Sequence, residues 1–255
     1  MSKRIEDFQV IDIKHIKNEF FVLELLSPGS LPEILPGQFV QARIDGSSST
    51  FLRRPFSVHD VNYRRNTIRI LVQVVGHGTG KMSQMVRGDT INLVYPLGNS
   101  FSLPENGEKS LLIGGGCGIA PLLYLSGFIR SKGYEQEILV GFRNKERIIE
   151  YEEYRKYGKV HVATEDGSEG EKGLVTDHSV FSSGKFDRFY CCGPDLMMKS
   201  VASYAASNNI RCEVSLENLM ACGLGVCLCC IVKTTRGNVC SCTEGPVFNI
   251  NELKW

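Results

Sequence analysis

The chain has 255 residues, 42% of them hydrophobic and 22% charged, and its formal net charge is +1. This length allows two domains of ordinary size. The balanced charge gives no electrostatic reason to expect a nucleic acid partner, and the scattered charges of the first residues do not have the pattern of a secretory signal peptide.

Residues 1–102 are predicted to form a run of short strands separated by Pro-Gly, Asp-Gly and Gly-Asp turns. The clearest strand is 67–75, because alternate positions place one apolar face on Ile68, Ile70, Val72 and Val74. Further strands are predicted at 20–25, 38–44 and 90–94, and a short helix at 80–86 with Thr79 as its cap. Several short strands at this spacing favour a small antiparallel β-barrel.

Two motifs in this region mean little separately. Arg53-Arg54-Pro55-Phe56-Ser57 has the composition of a solvated turn beside a core residue, and Gly78-Thr79 marks only the start of a helix. Together they indicate a phosphate site, because an arginine can hold a pyrophosphate through two parallel hydrogen bonds and the amides at a helix start donate to phosphate.

This order of motifs resembles the flavin domain of the ferredoxin reductase superfamily. The resemblance implies bound FAD, with Arg54 at a phosphate, Ser57 beside the flavin N5, and Gly78 and Thr79 at the pyrophosphate. Phe56 stands where the superfamily usually has a tyrosine, so ring stacking remains possible without a hydroxyl. The resemblance also implies that the site is lined by Pro55 and by the strand residues Leu71, Val72 and Gln73.

From residue 103 to 214 strands and helices alternate, which predicts a doubly wound parallel sheet. Strands are expected at 110–113, 137–142, 159–163, 186–191 and 211–214, and helices after the glycine loop, near 146–156 and at 195–207. The uncharged stretch 110–129 has the length of a membrane span. Its central glycines and Pro121 fit a strand, a loop and a helix better, so we expect a cytoplasmic protein without a membrane segment.

The loop after the first strand of this sheet has the sequence GGGCGIAP. Glycines let the backbone approach a pyrophosphate, which then lies at the start of the following helix. The pattern matches the same superfamily, and a matching Cys-Gly-Pro motif follows a later strand. We therefore predict a nicotinamide dinucleotide site formed by Gly114, Gly115, Gly116, Gly118, Pro121, Cys192, Gly193 and Pro194.

The choice between NAD and NADP depends on charges after the next strands. Glu165 and Asp166 follow the third strand, where carboxylates would repel a 2′-phosphate and could accept a hydrogen bond from a ribose hydroxyl. Arg143 and Lys145, after the second strand, favour NADP instead. We weigh the carboxylates more heavily and predict NAD as the substrate.

Six of the ten cysteines lie in the last part of the chain. Cys222, Cys227 and Cys230 have the x4 and x2 spacing of a plant-type 2Fe–2S cluster, and further cysteines follow at 240 and 242. Zinc is the competing interpretation, although structural zinc sites usually have paired C-x2-C motifs. Spacing alone leaves Cys229 and Cys240 as alternative ligands.

The residues around these cysteines resemble the electron-transfer subunits of class B dihydroorotate dehydrogenases, both in SLENLMACG from Ser215 and in CTEGPVF from Cys242. The resemblance implies the cluster ligands Cys222, Cys227, Cys230 and Cys242. It also implies an FMN-containing catalytic partner subunit, two copies of each subunit, and electron flow through the cluster and FAD to NAD. The alternatives are an NAD(P)H–ferredoxin or sulfide-linked reductase subunit, or a zinc-binding redox sensor.

The predicted fold therefore has three parts: an antiparallel β-barrel for FAD at 1–102, a parallel-sheet α/β domain for NAD at 103–214, and a small iron–sulfur lobe at 215–255. No part of the sequence is left over to form a pyrimidine site with a general base. We therefore expect no catalytic residue for dihydroorotate on this chain.

Overall fold

The computed structural model describes residues 3–17, 19–44 and 50–255. The first seven strands form one antiparallel sheet in the order β4-β3-β7-β1-β2-β6-β5, which makes a half-barrel. These strands are β1 (Arg4–His15), β2 (Phe20–Leu26), β3 (Phe39–Arg43), β4 (Arg54–Ser57), β5 (Asp60–Asn62), β6 (Thr67–Gln73) and β7 (Thr90–Leu97).

The core of this sheet confirms the predicted apolar face of β6. Ile68, Ile70 and Val72 are almost fully buried together with side chains from β1, β2 and β7, and Val74 packs at the edge of the same cluster. β1 was not predicted. Its exposed positions mix charged residues with Ile5 and Gln9, so no regular apolar alternation marked the buried positions Phe8 and Val10.

The helix between β6 and β7 is α1 (His77–Met82), so the predicted span of 80–86 was wrong. Thr79 lies inside the helix, not at the residue before it. Its hydroxyl oxygen still accepts hydrogen bonds from the backbone amides of Val75, at 2.9 Å, and Gly76, at 3.2 Å. Thr79 therefore satisfies amides at the helix start from the third helical position.

The second sheet has the order β11-β10-β9-β8-β12-β13-β16 and is parallel except for β16, as predicted for a doubly wound domain. Its strands, with the separate hairpin β14–β15, are β8 (Lys109–Gly115), β9 (Glu135–Phe142), β10 (Lys159–Thr164), β11 (Glu171–Lys172), β12 (Arg188–Cys192), β13 (Arg211–Ser215), β14 (Ile231–Thr234), β15 (Gly237–Cys240) and β16 (Val247–Asn249). The remaining helices are α2 (Ala120–Ser131), α3 (Tyr151–Arg155), α4 (Val180–Ser183), α5 (Asp195–Ser207) and α6 (Ser241–Glu244).

The strand order reverses beside β8. The chain moves from β8 outward to β9, β10 and β11, and then crosses to β12 and β13 on the other side of β8. In open α/β sheets, such a reversal leaves a crevice at the carboxyl ends of the strands, where ligands bind. The crevice here lies between the end of β8 and the end of β12.

The predicted charged helix near 146–156 is much shorter in the structure. A 3-10 turn at Lys145–Arg147 is followed by buried residues, and α3 begins only at Tyr151. Glu150 breaks the segment because its backbone is left-handed, with φ of 55°, and its side chain is turned into the protein. Charge composition suggested one solvated helix, but one carboxylate in the segment is buried.

The cysteine-containing segment leaves β13 and returns to it. β16 pairs antiparallel with β13, and the amide of Leu216 donates to the carbonyl oxygen of Pro246 at 2.9 Å. Both ends of the segment are thus fixed to the edge of the parallel sheet. Within the described ranges, no helix has both the length and the apolar character needed to cross a membrane.

Candidate functional site

The two predicted nicotinamide motifs meet at the crevice between β8 and β12. Gly114 pairs with Cys192 across these strands. A Cβ atom added to Gly118 would lie 2.4 Å from the Cα of Gly193 and 2.5 Å from the carbonyl carbon of Cys192. The glycine loop therefore packs directly against the second motif, and only glycine fits at position 118.

Helices begin on both sides of this crevice. Pro121 is the second residue of α2, and Pro194 immediately precedes α5. Gly116 has a φ of 56°, a left-handed conformation that glycine adopts without strain. The predicted residues from both motifs are thus at the carboxyl edge of the sheet, next to two helix starts.

Arg53 and Arg54 have different surroundings. The guanidinium of Arg53 points into the protein and donates to the carbonyl oxygens of Gln41 and Asn92, at 3.1 and 3.0 Å. Arg54 donates to the carbonyl oxygens of its own neighbours Leu52 and Arg53. The guanidinium of Arg53 is therefore held by hydrogen bonds to the sheet, and Arg54 is the arginine that a ligand can reach.

The other predicted flavin residues divide into two groups. Pro55, Phe56 and Ser57 on β4 are half-buried and line the sheet edge. Leu71 and Val72 are 2% and 1% exposed, so their side chains belong to the core and only their backbone could face a ligand. Gly78 is tightly packed, since an added Cβ would lie 2.9 Å from Ile44 and 3.0 Å from Thr50.

Gln73, at the end of β6, connects the two cofactor domains. Its side-chain amide donates to Glu19 Oε1 at 2.9 Å, and Arg147 of the parallel-sheet domain donates to the same oxygen at 2.8 Å. These hydrogen bonds lower the pKa of Glu19. A carboxylate only accepts hydrogen bonds, so it fixes which end of the Gln73 amide faces it.

Glu217 was missed as a site residue. Its Oε1 accepts from the thiol of Cys192 at 3.9 Å, and the thiol of Cys117 lies near both. The side chain is open to solvent on one side, yet enough protein surrounds it that burial raises its pKa. In the sequence Glu217 stands only as part of the SLENLMACG motif, whereas the structure places its carboxyl group beside the crevice.

Glu165 and Asp166 lie at the carboxyl edge of the sheet, as expected from their position after β10. Their amides donate to the carbonyl oxygens of Phe142 and Arg143 after β9, at 3.1 and 3.3 Å. Asp166 Oδ1 accepts from the amide and hydroxyl of Ser168, and the hydroxyl bond is the main cause of its lowered pKa. The acidic residues that favour NAD and the basic residues that favour NADP therefore lie next to each other.

The four predicted cluster ligands lie near one another. The Cys222 thiol interacts with that of Cys227, and the Cys230 thiol interacts with those of Cys240 and Cys242. In residues 3–17, 19–44 and 50–255, no three His, Cys, Asp or Glu side chains already form a metal-binding group. Gly223 and Gly225 have left-handed backbone conformations, which let the loop turn tightly around the thiols.

Hydrogen bonds distinguish the candidate ligands. Cys222 and Cys242 accept from the amides of Leu224 and Gly225, at 3.3 and 3.2 Å. Burial opposes ionisation of Cys222, but amide donors outweigh it and lower its pKa to about 6. Burial raises the pKa of Cys242 to about 12, a cost that a bound metal removes because it deprotonates its thiol ligands.

Cys229 and Cys240 make the opposite kind of contact. Their thiols donate to the carbonyl oxygens of Leu219 and Gly225, at 3.7 and 3.9 Å. A thiol that donates is protonated, whereas a metal ligand is a thiolate. These contacts favour Cys242 over Cys240, and the set Cys222, Cys227, Cys230 and Cys242 stays the predicted set of cluster ligands.

The cysteine loop (residues 219–231) rests on the half-barrel, next to β4, which carries the predicted flavin residues and is called the flavin strand below. Cys230 and Cys242 are buried against Phe39, Val94 and Leu97 of β3 and β7. Phe39 in turn pairs with Ser57 on β4. One strand residue thus separates the thiols from the serine predicted to lie beside the flavin.

Comparisons with known proteins agree with this arrangement. Residues 217–254 match the family model described as the iron-sulfur cluster binding domain of dihydroorotate dehydrogenase B. The chain is 39% identical over 249 residues to the dihydroorotate dehydrogenase B (NAD(+)) electron transfer subunit of Caldanaerobacter subterraneus subsp. tengcongensis, covering 96% of each chain. It is 35% identical over 262 residues to the subunit of that name from Desulforamulus reducens, covering all of both.

Solved structures share the fold. The structure of an NADH-dependent reduced ferredoxin-NADP oxidoreductase, determined in a study of flavin-based electron bifurcation, has a TM-score of 0.88 and 32% identity, covering 97% of this chain and 90% of the other. The ferredoxin reductase of a carbazole 1,9a-dioxygenase has a TM-score of 0.72 at 17% identity, covering 82% of this chain and 67% of the other. The identity and coverage of the curated relatives establish that this chain belongs to the family of electron transfer subunits of NAD-dependent dihydroorotate dehydrogenase B.

Proposed function

We propose that this chain receives electrons from an FMN-containing dihydroorotate dehydrogenase subunit and delivers them to NAD through a 2Fe–2S cluster and FAD. The observation that carries the proposal is the position of the thiols: Cys230 and Cys242 pack on Phe39, which pairs with Ser57 of the flavin strand. A cluster held there would be close to a flavin held along β4.

The two cofactors would supply complementary chemistry, because a flavin exchanges two electrons with a nicotinamide and single electrons with an iron–sulfur centre. The residues of this chain bind and orient these groups. Arg54 would hold a phosphate of FAD, and the glycine loop would hold the dinucleotide against the flavin edge. Glu217, whose Oε1 accepts from the thiol of Cys192, would place a carboxyl group at the edge of the crevice.

The name of the relatives, electron transfer subunit, implies a catalytic partner subunit. We propose that this FMN-containing partner covers the outer face of the cysteine loop and that the complex contains two copies of each subunit. That face carries several exposed apolar side chains, and such a patch is typical of a protein interface. They are Leu219, Leu224, Val226, Leu228 and Ile231.

One observation favours a second candidate function. The ferredoxin-NADP oxidoreductase structure is 32% identical over nearly the whole chain. A subunit of a ferredoxin-linked reductase can therefore have the same fold. The same fold could serve both functions. Only the partner that binds the cysteine loop distinguishes them.

The test uses the purified chain with and without a dihydroorotate dehydrogenase catalytic subunit. Alone, it should contain about one FAD, two irons and two sulfides, oxidise NADH with a dye, and leave dihydroorotate unchanged. Adding the FMN-containing subunit should produce electron flow from dihydroorotate to NAD. Stoichiometric zinc without sulfide would overturn the cluster assignment, and failure to bind that subunit would favour the reductase function.

A further inference from the structure

Gln41, in the middle of β3, is fully buried, at 0% exposure. Neither its side-chain oxygen nor its side-chain nitrogen has a hydrogen-bond partner in the described part of the chain. A buried polar group without a partner costs about 1–3 kcal/mol, and most such groups in folded proteins are satisfied. The Gln41 amide therefore indicates a partner that the protein chain itself does not provide.

Strand geometry places this amide under the cysteine loop. Side chains alternate between the two faces of a strand, and the neighbours Val40 and Ala42 belong to the core of the half-barrel. Gln41 is thus on the same face as Phe39, which packs against Cys230 and Cys242. Its partner residue on β7 is Val94, another apolar member of that cluster.

The contact with the loop is direct. A Cβ added to Gly223 would lie 2.8 Å from Gln41 Cγ and 3.2 Å from Gln41 Nε2. Gly223 immediately follows the predicted ligand Cys222. The hydroxyl of Ser241, fully buried between Cys240 and Cys242, is also without a partner among the described residues. Two unsatisfied polar side chains therefore lie beside the cysteines of this segment.

We infer that Gln41 donates a hydrogen bond to sulfur of the 2Fe–2S centre and thereby sets its reduction potential. The inference rests on the proposed function, since it requires the cluster to be held by this loop. An amide nitrogen is a donor and sulfur is an acceptor. Hydrogen bonds to cluster sulfur are among the features that set the potential of such centres, and they stabilise the more negative, reduced form.

The test is Gln41→Leu, which keeps a similar volume and removes both polar ends. In the cluster-containing full-length chain, we expect the reduced cluster to be disfavoured roughly three- to tenfold, a fall of about 30–60 mV at 59 mV per tenfold for one electron. Redox titration followed by electron paramagnetic resonance measures this shift. The cluster-free chain should be no less stable than the wild type, because the amide has no partner to lose.

Gln136→Leu is the matched control. Gln136 is also buried, at 8% exposure, and its side-chain oxygen has no partner among the described residues, but its side-chain nitrogen donates to the carbonyl oxygens of Ser126 and Tyr157 in the parallel-sheet domain. This variant should be less stable and should keep the wild-type cluster potential. An unchanged cluster potential in Gln41→Leu, or a shift of the FAD potential alone, would overturn the inference. A wild-type chain without any cluster would overturn the proposed function itself, and this inference with it.

Discussion

At the scale of single residues, the direction of one hydrogen bond separates two cysteines that are two positions apart. Cys242 accepts from the amide of Gly225, while Cys240 donates to the carbonyl oxygen of the same residue. Sequence spacing cannot make this distinction, because both cysteines follow Cys230 at similar distances. The family signature selected Cys242, and the hydrogen bonds support that choice.

We predict that Cys242→Ser loses or alters the cluster, whereas Cys240→Ser keeps it nearly normal. Serine removes the sulfur atom in both variants, but only at position 242 does it remove a sulfur that accepts from an amide donor. Iron and sulfide content and the visible spectrum measure the outcome. Equal loss in both variants, or loss only in Cys240→Ser, would contradict the ligand assignment.

The second residue-scale prediction concerns nucleotide choice. Glu165→Ser should improve use of NADPH relative to NADH by roughly tenfold, because it removes one negative charge from the proposed position of the 2′-phosphate. The ratio of kcat/KM values for the two nucleotides in the dye reaction measures the effect. Glu152→Ser, on exposed α3, is the control for loss of an acidic charge elsewhere. An unchanged ratio in Glu165→Ser would contradict a role of the Glu165 carboxylate in the choice between NADH and NADPH.

At the scale of elements, regular patterns were predictable and local exceptions were not. The strands that became β6, β9 and β10 and the helix α5 have strong periodicity or composition, and the sequence located them within a few residues. β1 was missed because its solvent-facing positions include Ile5 as well as charged residues, which breaks the apolar alternation. The helix predicted near 146–156 shrank to α3 because Glu150 is buried, and composition does not reveal which of several carboxylates turns inward.

Close contact between the two nicotinamide motifs leads to an element-scale prediction. Gly118→Ala should weaken NADH binding at least tenfold, because the added methyl group meets the backbone of Cys192 and Gly193 and must push the two motifs apart. Titration of NADH against the flavin-containing chain measures the dissociation constant. Gly127→Ala is the matched control: its Cβ would be 3.4 Å from Tyr157, an ordinary contact, and binding should be unchanged. Equal binding by both variants would contradict close packing at the site.

At the scale of the whole molecule, the two cofactor domains are joined by buried charge. Glu150 of the parallel-sheet domain is 1% exposed at its side chain and reaches three basic residues of the half-barrel. They are His59 at 3.5 Å, Arg69 at 3.5 Å and Lys14 at 3.4 Å. Burial works to raise the pKa of Glu150, but the hydrogen bond with His59 and the attraction to His59, Lys14 and Arg69 outweigh it and lower the pKa below the usual value of 4.5.

This contact predicts a pH-dependent contribution to stability. A carboxyl group with a lowered folded-state pKa stabilises the fold above its unfolded-state pKa, and this contribution is lost as the pH falls through the folded-state pKa. Glu150→Gln should therefore reduce the free energy of unfolding by about 1–3 kcal/mol at pH 7, and the difference from wild type should shrink below about pH 4.5. Chemical denaturation at several pH values measures it. The exposed control Glu152→Gln should change stability little, and a pH-independent difference for Glu150→Gln would contradict the charge explanation.

The hairpin formed by β14 and β15 separates the third and fourth predicted cluster cysteines, Cys230 and Cys242, along the chain without separating them in space. Ile231 pairs with Cys240, and the amide of Ser241 donates to the carbonyl oxygen of Cys230 at 2.9 Å, so the hairpin closes just beyond Cys230. Residues added or removed in matched pairs at the hairpin tip would leave these thiols facing each other. The number of residues between the two cysteines can therefore drift during evolution while the site is preserved. A search for related proteins that fixes this spacing would overlook true members of the family.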